Sequence, residues 1–136
     1  MRLVAAARRG VRVQMIVPGE YTDSEIVRRA SRFEWGPLLR AGIEIYEYQP
    51  TMYHCKVMIV DGLWTSVGST NFDSRSFSVN DEANLNVLDA SFAAEQRTTF
   101  DADLRLSRRV TLDEWEGRGW IDKSLDALAG TLSSQL

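Results

Sequence analysis

The sequence predicts an α/β fold, a mixed β-sheet flanked by helices on both faces, and three local patterns carry that expectation. A helical stretch between two strand-like runs reads as a crossover unit joining a parallel pair. Two β-rich runs flank Asp61-Gly62, the dipeptide preferred in a two-residue hairpin turn. A further strand-like run leads into a helix that Asp89 can cap. At 136 residues, with neither a linker nor an internal repeat, the chain is expected to be one domain spanning residues 1–136.

The elements follow in order. Met1 to Arg9 has helical composition and stops at Gly10, after which Val11, Val13, Met15 and Val17 alternate with Arg12 and Gln14 before Pro18-Gly19. Asp23 can cap a second helix with Ile26, Val27 and Ala30 on one face, and Trp35 to Arg40 continues helically past Pro37 until Ala41-Gly42. Ile43 to Tyr48 is the next strand, with Ile43 and Ile45 on one face. In the hairpin, a two-residue loop makes Val60 face Leu63, Lys56 face Val67 and His54 face Ser69. Glu82 to Val87 is a strand with Glu82, Asn84 and Asn86 along one side, a polar stripe that marks a site. From Asp89 a helix runs to about Leu106, its Phe92, Ala93, Phe100 and Leu104 spaced for a core. Thr111 and Glu114 form a cap-like start before Trp115 and Trp120, and the tail frays into Ser133-Ser134.

Composition excludes several classes. Hydrophobic residues at 44% and charged residues at 26% lie near globular averages, unlike a disordered or collagenous chain. No apolar run approaches the roughly 20 residues of a membrane span, and Arg8 and Arg9 stand where a signal peptide needs its apolar stretch. One cysteine, Cys55, excludes an internal disulfide, and one histidine, His54, gives no zinc cluster. Residues 1–80 carry 10 basic and 8 acidic side chains and residues 81–136 carry 6 and 11, for a net charge of −3. That balance argues against a basic nucleic-acid-binding face, so no nucleic-acid partner is expected.

Lys56 is one of two lysines and stands two residues from the only histidine. His54, Lys56, Asp61, Gly68, Ser69 and Asn71 together read H-x-K-x4-D-x6-G-S-x-N. Attack on a phosphodiester needs positive charge and hydrogen-bond donors at the phosphate, and a group whose proton moves near neutral pH. An imidazole, with its ordinary pKa of about 6.5, serves as nucleophile or acid. Lys56 supplies an ammonium, and Asn71 and Ser69 supply an amide and a hydroxyl. With those donors neither a metal nor another cofactor is required.

This pattern resembles the phospholipase D superfamily. Further stretches resemble the second half of bacterial cardiolipin synthases: Arg9 to Val13 before a strand ending Val17-Pro18-Gly19, then Gly42 to Tyr48, Asn71 to Phe77, and Asp81 to Asn84. The resemblance implies a catalytic role for His54 and Lys56, phosphate binding by Lys56, Ser69 and Asn71, and architectural roles for Asp61 and Gly68. It also implies that Glu82 accepts a hydrogen bond from the histidine and so belongs to the catalytic set.

In this family two motif copies face each other, one histidine attacking phosphorus and the other protonating the leaving oxygen. The chain carries one copy. A second motif-bearing half is therefore expected, upstream in the same polypeptide or in a homodimer mate. The family domain also opens with a strand and a full helix, whereas Met1 falls inside that helix, so truncation at the N-terminus is expected. The function implied is a phosphatidyl transferase of cardiolipin synthase type. It would form cardiolipin from phosphatidylglycerol or a related phospholipid through a phosphohistidine, at the membrane surface on the cytoplasmic side of the bacterial inner membrane. The alternatives are a phosphodiesterase or nuclease of the superfamily acting as a homodimer, and a catalytically silent half-domain with an interaction role.

Overall fold

The computed structural model describes residues 2–70 and 82–133 of the chain, with the side chains of residues 132 and 133 left aside. The described residues form two compact units, one of residues 1–53 and 106–136 and one of residues 54–105. The α/β class holds. The strands form two three-stranded sheets, a mixed one in the first unit and an antiparallel one in the second.

In the first unit, α1 (Arg2–Arg8) ends at Gly10, whose φ of 95° is open to glycine at little cost. Gly10 N–H donates to Ala7 C=O at 2.9 Å and Val11 N–H to Ala6 C=O at 3.2 Å, the paired bonds of a Schellman stop. β1 (Gln14–Pro18) follows, then α2 (Glu25–Phe33) and α3 (Trp35–Arg40). The cap of α2 is Ser24 and not Asp23, because it is the Ser24 hydroxyl that accepts from Val27 N–H, at 3.4 Å. A second Schellman pair at Gly42 and Ile43 ends α3 and feeds β2 (Glu44–Tyr48), parallel to β1 as the crossover reading requires.

β6 (Ser107–Val110) pairs antiparallel with β2, setting Val110 against Ile45 and Arg108 against Glu47. Its polar sequence gives no strand signal, and it was not among the predicted elements. Trp35, Leu38, Ile43, Ile45 and Val110 form the core, with Met15, Val17 and Trp115 packed against it. Each such side chain removed from water contributes about 1.5–3 kcal/mol.

α5 (Leu112–Glu116) starts with the full capping box at Thr111 and Glu114, as its sequence predicts. α6 (Trp120–Ser133), which the sequence reading did not delimit, packs on α2. Its inner face carries Asp126, 2% exposed, ion-paired to Arg118 and Arg29. Its outer face leaves Ile121, Leu125 and Leu128 in solvent. No helix among the described residues is long and apolar enough to cross a membrane.

The second unit holds β3 (Val57–Val60), β4 (Trp64–Gly68), β5 (Asn84–Leu88) and α4 (Ala90–Arg105), in sheet order β3-β4-β5. Asp61 and Gly62 have φ of 52° and 63°, the left-handed values that the Asp-Gly turn anticipates. The expected register is nevertheless displaced by one residue, with Val60 opposite Trp64 and Val57 opposite Val67. Leu63 is the extra residue. Its N–H donates to Val60 C=O at 3.1 Å while its own carbonyl accepts Asp89 N–H at 3.0 Å, so it joins the turn and not the ladder. Asp89 caps α4 as predicted, its carboxylate accepting Phe92 N–H at 2.7 Å, and Ala93 is fully buried.

Candidate active site

Every described residue of the motif lies in the second unit, and the hairpin distributes them between its two ends. Asp61 occupies the turn. His54, Lys56, Gly68 and Ser69 occupy the opposite end, roughly 15 Å away at about 3.3 Å per strand residue.

At the other end, His54 is exposed and precedes β3, while Lys56 is half-buried and adjoins its first residue. The Lys56 ammonium donates to the His54 carbonyl oxygen at 3.1 Å, so the cation stands beside the histidine backbone. Among the described residues this is the ammonium's one hydrogen bond, which leaves two of its three protons for other acceptors. Gly68 N–H donates to Lys56 C=O at 3.2 Å, which ties the lysine segment to the end of β4.

The displaced register corrects one expectation about the site. Lys56 lies beside Gly68 and not Val67, and the same pairing continued sets Cys55, not His54, opposite Ser69. Ser69 is held from its other side. Its N–H donates to Ala83 C=O at 3.0 Å, and its hydroxyl oxygen accepts Ala83 N–H at 3.1 Å. An oxygen that accepts from a fixed amide keeps its own proton to donate, so this hydroxyl is set up to meet an acceptor such as a phosphate oxygen.

Glu82 is half-buried, two residues before β5. Asn71 lies outside the described residues, as do the Asn71 to Phe77 stretch and Asp81. The polar stripe read from the sequence includes Asn84, whose particular contact was not anticipated: its Oδ1 accepts Thr70 N–H at 3.3 Å. The signal for it was the alternation of polar residues along β5; its partner depends on the β4–β5 pairing, which places Gly68 opposite Asn84.

Residues 1–104 match the family described as cardiolipin synthase, phospholipase D-like domain. The probable cardiolipin synthase YwiE of Bacillus subtilis is 39% identical over 134 residues, covering 98% of this chain and 27% of that protein. Cardiolipin synthase A of Proteus mirabilis is 37% identical over 123 residues, covering 90% of this chain and 25% of that protein. Among solved structures, the phospholipase D family member Nuc from Salmonella typhimurium is similar with a TM-score of 0.66 and 21% identity, over 79% of this chain and 70% of that one. At that identity the likeness speaks for the fold. The chain spans about a quarter of the length of these two curated relatives.

Proposed function

The chain belongs to the phospholipase D-like domain family of cardiolipin synthase, and on that premise we propose that it supplies one half of the active site of a phosphatidyl transferase that makes cardiolipin from phosphatidylglycerol. The observation that carries the reading is the placement of His54, Lys56, Gly68 and Ser69 at one end of the β3-β4-β5 sheet, where the Lys56 ammonium donates to the His54 carbonyl and Gly68 N–H donates to the Lys56 carbonyl.

The reaction needs two histidines, and the chain has one. The other comes from a second motif-bearing half, upstream in the same polypeptide or in a partner copy. In the first step one imidazole nitrogen attacks the phosphorus of phosphatidylglycerol. The phosphorus–oxygen bond to the headgroup breaks, and glycerol leaves with a proton from the other imidazole. In the second step that imidazole, now neutral, takes the proton of the hydroxyl of a second phosphatidylglycerol. The resulting oxygen attacks phosphorus and the phosphorus–nitrogen bond breaks. Family resemblance assigns the general acid to a C-terminal copy, hence to His54.

Lys56 offsets the negative charge that builds on the phosphoryl oxygens, and the Ser69 hydroxyl and Asn71 amide donate to them. Glu82 accepts from the His54 ring, which fixes its tautomer. The site works at a membrane surface, where both lipid substrates reside.

The test is conversion of labelled phosphatidylglycerol by the complete two-motif enzyme, with glycerol and cardiolipin quantified together. Equal amounts of glycerol and cardiolipin are expected. Phosphatidic acid without cardiolipin would replace transfer with hydrolysis. The 136-residue chain alone should make no cardiolipin, and adding the other half should restore it.

A further inference from the structure

We propose that Asn84 is a positioning residue: its carboxamide closes the end of the β4–β5 ladder over Gly68 and thereby holds Ser69 in the orientation that meets the substrate phosphate. The proposal rests on the reading of Ser69 as a phosphate donor and adds a residue that acts through it.

The ladder between β4 and β5 ends at the pair Gly68 and Asn84. Past that pair the chain still has amides to satisfy, and Thr70 is 7% exposed, so an unmade bond there would leave a buried amide without a partner. The Asn84 side chain supplies the acceptor, its Oδ1 receiving Thr70 N–H at 3.3 Å. Between the two ladder-like contacts sits Ser69, with N–H donated to Ala83 C=O at 3.0 Å and hydroxyl accepting Ala83 N–H at 3.1 Å.

Gly68 makes the arrangement possible. A Cβ at that position would collide with Asn84 Oδ1 and with the Ala83 carbonyl oxygen, and would come within 2.7 Å of Asn84 Cα. The carboxamide therefore occupies space that only glycine leaves. With the Ser69 and Thr70 main-chain amides consumed by Ala83 and Asn84, the Ser69 hydroxyl proton is a donor this strand end presents. Releasing Thr70 frees the chain on the far side of Ser69, and the hydroxyl loses its aim.

The experiment uses the complete two-motif enzyme with phosphatidylglycerol vesicles. Asn84→Ala should raise KM about tenfold with kcat within about threefold, the loss of roughly one hydrogen bond's worth of alignment. In a Ser69→Ala background the same change should cost less than about twofold more, because the two act as one unit. Hydrogen exchange at the Thr70 amide should accelerate in Asn84→Ala and stay protected in Asn84→Asp, which keeps an acceptor oxygen. If Asn84→Ala does not fold, Asn84→Ser, too short to span the gap, takes its place.

Normal kinetics in Asn84→Ala, effects of Ser69→Ala and Asn84→Ala that multiply, or unchanged exchange at Thr70 would each overturn the proposal. A wild-type enzyme that turns over no phospholipid would sink the transferase reading instead, and the exchange measurement would still decide whether Asn84 clamps Thr70.

Discussion

Gly68 N–H donates to the Lys56 carbonyl at 3.2 Å, one step beyond Val57 and Val67, the last ladder pair of the hairpin. That bond fastens the lysine-bearing segment to the strand whose next residue is Ser69. Two groups proposed to contact the phosphate thus share one anchor, and disturbing it should disturb both.

Gly68→Ala is expected to destabilise the second unit and impair transfer together. The added methyl meets main-chain atoms of Ala83 and Asn84 that cannot swing away, and overpacking of this kind costs about 1–3 kcal/mol. Thermal unfolding of the complete enzyme should shift down by several degrees. A melting curve and turnover both equal to wild type would show that the strand end has room to spare.

His54→Ala should abolish cardiolipin formation, and Lys56→Ala should lower kcat by about 10² to 10³, the scale for losing one charge-stabilising donor. His54 is exposed and Lys56 only half-buried, so neither change should alter the melting temperature much. Labelled phosphatidylglycerol conversion measures the effect. Near-normal turnover in either variant would remove that residue from the mechanism, and a trapped phosphopeptide containing His54 would make it the nucleophile and not the acid.

Asp126→Ala should cost about 3 kcal/mol, because it removes the buried carboxylate that pairs with Arg118, whose side chain is 10% exposed, and leaves Arg118 only the longer-range charge of the exposed Asp122. Burial already pulls the Arg118 guanidinium below its ordinary range, while the Asp126 charge pushes it back up. Urea unfolding checks the loss. The double variant Asp126→Leu with Arg118→Met should recover part of the stability, since it removes both charges.

Acid should loosen the first unit through Glu44. Hydrogen bonding from Arg12, with Tyr46 and Gln14 adding to it, holds the Glu44 carboxyl down at about 2 against burial that raises it, from an ordinary 4.5. A depressed carboxyl stabilises the fold fully above its unfolded value and loses that contribution as pH falls from about 4.5 toward 2. Arg12 is 69% exposed, so water screens the pair and the contribution is set at about 1 kcal/mol. Melting temperatures between pH 6 and 2.5 should therefore fall less steeply in Glu44→Gln. Identical slopes would mean that the network does not bind protons differently on unfolding.

Local chemistry made much of the fold legible. Gly10 and Gly42 stop helices because their backbone conformations suit glycine, Thr111 and Glu114 reciprocate as a capping box, and Asp89 caps α4. Each signal lies within a few residues of the element it governs. The candidate site was legible over the same short range: His54 and Lys56 stand two residues apart just before β3, and the Asp61-Gly62 turn brings Gly68 back beside Lys56.

What tertiary structure decided has partners distant in sequence. Ser107 to Val110 became a strand because β2 offers Glu47 to Arg108, at 2.6 Å, and Ile45 to Val110. Leu63 stands outside the β3–β4 ladder, its N–H on Val60 C=O and its carbonyl on Asp89 N–H, and the register is one residue from the expected one. Asn84 acquired its role only when β5 paired with β4 and set its carboxamide over Gly68. A sequence by itself encodes the turns, caps and periodicities that act over a few residues, and here the motif that names the chemistry. The exact pairings arise when segments far apart compete for one another's hydrogen bonds, and that competition is resolved only in the folded chain.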